Sequence, residues 1–229
     1  MPQWQFFDDL QPYLPTLEAM NAHVEQIKQG RADEAVWVLS HEAVYTGGTS
    51  ATDDDILTPQ LNQSAVPFIE TGRGGQWTYH GPGIRIAYPL LNLNNRQQDV
   101  RLYVHSLEAW VIDILACFGI EGHRRDGLPG VWVKETTPPQ GAGSPIIRYN
   151  KIAALGVRVS KWVTAHGFAI NLNPDLSAFD EIVPCGVSDA GVTSFANLGL
   201  DVSMAELDMA IKDCFKTHFG KDAVMGSKG

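Results

Sequence analysis

The sequence predicts an α/β protein of the α+β type, a single domain in which a mixed β-sheet is flanked by helices. Three observations carry this. The chain has 229 residues, 44% of them hydrophobic and 19% charged, enough to bury a full core without disulfides or a structural metal. Strand-like and helix-like runs interleave, but without the strict alternation of a parallel doubly wound sheet. Finally, no internal repeat, low-complexity segment or linker divides the chain.

The elements follow in order. Leu17, Met20, Val24 and Ile27 recur at helical spacing behind Pro15 and stop at Gly30, so the first helix lies there. AVWVL (35–39), VPFIE (66–70) and IRIAYPLL (84–91) read as short strands bounded by Gly, Pro or Asn. RGGQWTYHGPG (73–83) is too rich in glycine for a helix and reads as a pocket-forming hairpin. From Asp99 to Phe118, Tyr103, Leu107, Trp110, Ile114 and Phe118 mark one face of a helix that Asp99 caps and Gly119 ends. GVWV (130–133) is a strand, and KETTPPQGAGSP after it has the composition of a surface loop. Residues 152–159 and 162–172 read as two strand-like runs around a Ser-Lys turn, with helix as the alternative for KIAAL, PDLSAF is a turn or short helix, and Ser203 with Glu206 makes a capping box for a last helix.

Charge and cysteine content narrow the function. A net charge of −9 argues against nucleic acid and anionic membrane as partners. Three cysteines without a C-x-x-C pair offer neither a disulfide framework nor a thiolate metal site, and point to a reducing compartment. MPQWQFFDDLQPYLP lacks the basic and apolar regions of a signal peptide, and no run is long enough to span a membrane, so a cytoplasmic protein is expected. No exposed apolar stripe stands out, which favours a monomer.

Among the cysteines, Cys117 and Cys214 fall on or beside apolar helix faces, where a thiol behaves as a small buried hydrophobe. Cys185, in IVPCGV between Pro184 and Gly186, fits neither a helix interior nor a central strand and can be presented as a nucleophile; a buried thiol under a loop is the plainer alternative. A nucleophilic thiol needs a base or a cation beside it. His80 and His166 sit next to glycines, in what read as turns, and Lys151 opens the apolar run KIAAL. No histidine pair has metal-ligand spacing, so no metal and no cofactor are expected.

RGGQWTYHGPG, KIAALGVRV, HGFAINLN and IVPCGV with GVTS resemble, in that order and spacing, the octanoyl-acyl carrier protein:protein octanoyltransferases of lipoate synthesis. The resemblance covers about residues 35–200 and implies the fold shared with lipoate and biotin protein ligases. It also implies a dyad: Cys185 attacks the octanoyl thioester of acyl carrier protein, and Lys151 activates the thiol and moves the proton. The acyl group then passes to a lysine of a lipoyl domain, in 2-oxoacid dehydrogenases or the glycine cleavage H protein. The chain is expected to lie along Arg73, Gly74, Gly75 and Gln76, the following Trp77, Thr78, Tyr79 and His80, then Ala154, Leu155 and Gly156, and finally Gly167, Phe168 and Ala169. Small residues at Ala153, Ala154, Gly156 and Gly167 would leave it room, and eight buried carbons would contribute on the order of 5 kcal/mol.

Trp77 and the pair Ile84-Arg85 depart from the usual pattern and could narrow the tunnel, and the loop from Lys134 to Asn150 is longer than typical. Residues 73–161 carry net +5 against −14 for the rest, a distribution that would steer an acidic carrier protein. Three rivals share the fold: an ATP-dependent lipoate or biotin ligase, an amidotransferase moving octanoyl between lipoyl proteins, and a non-catalytic carrier-binding module.

Overall fold

The computed structural model describes residues 1–57, 65–137, 146–183 and 190–220. A seven-stranded mixed sheet forms the middle layer, in the order β1(Gln3–Gln11), β2(Ala35–His41), β6(Ile84–Leu90), β10(Val163–Asn171), β9(Ile146–Ser160), β8(Leu128–Thr137) and β7(Gly122–Arg125). Only β1 and β2 run parallel; the other neighbours are antiparallel. A separate three-stranded sheet, β4(Phe68–Glu70), β3(Val44–Gly47) and β5(Trp77–His80), carries the glycine-rich motif.

Each face of the large sheet is covered. Helix α2(Val100–Ala116) and helix α3(Met204–Phe219) pack on one face around Trp110, Phe168 and Phe215, with the Trp110 indole N–H donating to the Ile211 carbonyl at 2.9 Å. Helix α1(Tyr13–Lys28) and the small sheet cover the other, around Met20, Val24, Leu39 and Ile86. The expected caps are present: the Asp99 carboxylate accepts from the Leu102 N–H, and Ser203 and Glu206 form a reciprocal capping box. Among the described residues no helix is long and apolar enough to cross a membrane.

Several expectations shift. KETT (134–137) is not loop: β8 runs to Thr137 and pairs with a β9 that begins at Ile146, and residues 138–145 lie outside the described ones. The β9–β10 turn falls at Lys161-Trp162, both at positive φ (49° and 62°), the twist a two-residue hairpin needs. VPFIE shortens to Phe68–Glu70. Strands β1, β3 and β7 were not foreseen, because QWQFFDDLQ and GHRR are too polar, and VYTG too short, to stand out as strands.

Cys117 is exposed and Cys214 partly so, rather than buried. Cys117 follows the last turn of α2, where the chain has left the apolar face. Its sulfur lies 3.7 Å from that of Cys214.

Candidate active site

A cavity of about 680 Å³ opens between β9, β10, the 73–80 motif, the start of α2 and the β7–β8 turn. Its size is that of a small-molecule site. Arg73, Gly74, Gly75, Gln76, Trp77, Thr78 and His80 line one side; Lys151 with Ala154, Leu155 and Gly156, and Gly167, Phe168 and Ala169, line the others. Tyr79 does not: it lies on the opposite face of β5, 5.2 Å from the Tyr45 ring and 5.7 Å from Phe179. Strand alternation separates it from Thr78 and His80.

Lys151 is 6% exposed. Its ammonium donates to the Pro129 carbonyl at 2.9 Å and stands 4.5 Å over the Trp132 ring, a cation–π contact. A bulge opposite Val131 and Trp132 shifts the register here, and Gly130, at φ +136°, supplies the space. A Cβ on Gly130 would sit 2.9 Å from Lys151 Cε, so the lysine occupies the volume a side chain would need. Glu108 of α2 accepts from the Gly130 N–H at 3.2 Å and pairs with Arg124, which ties the bulge to the helix. On its other edge the Lys151 N–H donates to the Gly191 carbonyl, and the Thr193 N–H donates to the Lys151 carbonyl. Pro184, Cys185 and Gly186 lie outside the described residues, between Val183 and Ala190.

Two histidines of the lining, His80 and His166, and a third beside them, His41, are buried. His80 and His166 belong to β5 and β10, in strands rather than turns, and both line the cavity. His166 holds φ +58°, a left-handed conformation that a β-strand side chain rarely adopts, and its N–H donates to the Met20 sulfur. His41 donates from Nδ1 to the Gln11 carbonyl and accepts at Nε2 from the Tyr88 hydroxyl, 2.9 Å away. Burial pushes His41 down to about 4 and His166 down to about 3, and holds His80 well below the ordinary imidazole range; Arg73 adds to the depression of the last two. All three are neutral imidazoles at pH 7.

Arg73 is buried and organises its own loop. Its guanidinium donates to the carbonyls of Thr46, Gly74 and Gln76 and to the Thr46 hydroxyl, tying the motif to β3. Trp77 contributes to the wall, but its ring packs against Gly47 and Phe68 and its N–H donates to the Thr52 carbonyl. Arg85 cannot narrow the cavity, because it points to the opposite face of β6 and binds Asp208 through two bonds of 2.7 and 2.6 Å. The glycines do not leave room for a chain either. A Cβ on Gly167 would meet the Ala87 carbonyl at 2.1 Å, and one on Gly156 would meet that of Gly74 at 2.8 Å. Ala153 is fully buried away from the cavity. These small residues let backbones approach; the open volume lies beside them.

Sequence reasoning missed Tyr13, Tyr88, Val100, Val104, Leu128 and Pro129 as lining residues. They come from four separated stretches, and no local motif joins them.

Residues 12–216 match the family described as the lipoyl protein ligase A/B catalytic domain. An octanoyltransferase of Cereibacter sphaeroides is 49% identical over 218 residues, 95% of this chain and 97% of that protein. Among solved structures, a bi-partite lipoate protein ligase and its E2 lipoyl domain from Thermoplasma acidophilum match with a TM-score of 0.66 at 14% identity, over 95% of this chain and 84% of that chain. Biotin protein ligase from Aquifex aeolicus in complex with biotin and ATP matches at 0.51 and 15%, over 95% and 72%. At these identities the two structures establish a shared fold.

Proposed function

The chain belongs to the lipoyl protein ligase A/B catalytic-domain family, and from that membership we propose that it is an acyltransferase that moves octanoyl from acyl carrier protein to a lysine of a lipoyl domain. Residues 1–229 act as one catalytic domain. The observation that carries the reading is Lys151, a buried ammonium facing a cavity, whose backbone is bonded to the segment that follows Cys185.

In the first half-reaction the Cys185 thiolate attacks the thioester carbonyl, the carrier thiolate departs, and it takes a proton from the Lys151 ammonium. In the second, the acceptor amine attacks the acyl-enzyme and gives a proton to Lys151 while the Cys185 thiolate leaves. The product amide is more stable than either thioester, which drives transfer forward. The Pro129 carbonyl and the Trp132 face hold the lysine in one place for both transfers. The octanoyl chain lies along Ala154, Leu155 and Phe168, and neutral histidines in the wall let an apolar chain approach without burying a charge.

Arg101 and Arg125 stand within two residues of the lining Val100 and Gly127 in the sequence, and their charge suits an acidic donor. The acceptors are lipoyl domains of 2-oxoacid dehydrogenases and the glycine cleavage H protein. The enzyme works in the cytoplasm as a monomer, without a cofactor.

Intact-mass spectrometry with octanoyl-acyl carrier protein and no acceptor tests the proposal. One octanoyl adduct on the wild type, absent from Cys185→Ala and discharged by a lipoyl domain, is expected. Octanoylation of the lipoyl domain without any adduct, or only with ATP, would overturn the covalent route in favour of direct transfer or an adenylate.

A further inference from the structure

Outside the cavity, among the described residues, the thiols of Cys117 and Cys214 form a close pair that the proposed reaction does not use. Cys117 and Cys214 bring their sulfurs to 3.7 Å from helices α2 and α3, across 97 residues of sequence. Cys117 is exposed and its thiol donates to the Asp113 carbonyl at 3.3 Å; Cys214 is partly covered. The helices that carry them are held in register on their own account, by the Trp110 bond to Ile211, the Trp110–Phe215 ring contact and the His218–Asp113 contact at 2.7 Å. To bond, the two sulfurs must close from 3.7 Å to about 2.05 Å.

We propose that Cys117 and Cys214 form a reversible dithiol–disulfide site, oxidised by exchange with a small disulfide of the glutathione class and separate from the acyl-transfer thiol. The Cys117 thiolate attacks one sulfur of the small disulfide and releases one small thiol, leaving a mixed disulfide. Cys214 then attacks the Cys117 sulfur and expels the second small thiol. Two protein thiols are oxidised by two electrons, the small disulfide is reduced to two thiols, and the protons pass to the two leaving thiolates.

The order of attack follows from the surroundings. Cys117 is the sulfur that solvent reaches. Burial pushes the Cys214 thiol up to about 12, with the Cys117 thiol as the next cause and Asp113 and Asp213 after it. The Cys117 contribution disappears once Cys117 carries the mixed disulfide, so Cys214 becomes the resolving thiol only after the first step.

The oxidised form staples α3 to α2. Val100 and Val104, which line the cavity, belong to the opposite end of α2 from Cys117, so acyl transfer is left intact. Closing so long a loop is expected to raise the unfolding midpoint by about 10 °C.

The test treats the full-length protein with oxidised glutathione and needs no acyl substrate, so its outcome is independent of the proposed acyl transfer. Of the three thiols, two are expected to disappear, with a mass loss of two hydrogen atoms. Peptide mapping should find one Cys117–Cys214 cross-link, reversed by dithiothreitol, and the midpoint should rise. Cys117→Ser and Cys214→Ser should each fold, form no internal cross-link and keep the reduced midpoint. A persistent glutathione adduct on Cys117, a cross-link that includes Cys185, or an oxidised midpoint equal to the reduced one would each overturn the proposal.

Discussion

Lowering the pH from 7.5 to 5 should destabilise this protein through three buried histidines, His80 and His166 in the cavity wall and His41 beside His80. His41, His80 and His166 are neutral when folded, with His41 at about 4, His166 at about 3 and His80 well below its ordinary value. In the unfolded chain each titrates near 6.5. Their folded values are depressed, so between about 6.5 and 4 the unfolded chain takes up protons that the folded one refuses, and stability falls as pH falls. At pH 5 His41 and His166 each contribute about 2 kcal/mol of destabilisation, or about 4 kcal/mol together, and His80 adds to it in the same direction. That is a large part of the stability of an ordinary domain.

The carboxylates held below their usual range, Glu25, Asp175 and Glu206, are exposed and lose their contribution only below about pH 4.5, outside this window. Urea unfolding at pH 7.5, 6 and 5 provides the measurement, with His166→Asn as the control, since Asn tolerates the left-handed backbone at this position. The variant should lose about 2 kcal/mol of the destabilisation at pH 5. A flat profile, or an unchanged slope in the variant, would refute the argument.

Three further outcomes follow from contacts already described. Gly130→Ala places a Cβ against Lys151 Cε at a φ of +136°, so stability should fall by about 1–3 kcal/mol while single-turnover acylation falls about 100-fold. Gly167→Ala drives a Cβ to 2.1 Å from the Ala87 carbonyl and should cost at least about 4 kcal/mol, read as loss of soluble yield or of the thermal transition. Asp208→Ala leaves Arg85, 3% exposed, without its carboxylate; urea unfolding should show a loss of about 3–5 kcal/mol, with KM for the acyl donor unchanged because Arg85 faces away from the cavity.

The helices were legible because each is written locally: an apolar face at helical spacing, a capping residue before α2 and α3 and, for α1 and α2, a glycine after the last turn. Met20, Val24 and Ile27, or Tyr103, Leu107 and Trp110, needed no knowledge of their partners to be placed inside. The central strands were legible for the same reason, and Lys151 stood out as a charge at the head of an apolar run. Edge strand β1 did not, since its residues are half-covered or exposed and its pairing with β2 is parallel. Nor could the sequence display what holds Lys151: Pro129, Gly130, Trp132 and Glu108 lie roughly 20 to 40 residues away and meet it only through the β8–β9 ladder and α2.

The glycines show why a motif can be read correctly and explained wrongly. Small residues in HGFAINLN and KIAALG invite the inference that they make room for a ligand, yet the missing side-chain volume at Gly167 and Gly156 is occupied by the protein's own backbone. The two face each other across β9 and β10. Gly167 admits the carbonyl of β6 and Gly156 the loop that carries Arg73. Enlarging either should therefore disturb the walls before it shortens the space for a chain. If the cavity holds the acyl chain as proposed, selectivity for chain length is expected to follow the side chains that face the open volume, among them Tyr13 and Tyr88, which motif reasoning missed, and Phe168, which the family resemblance placed there.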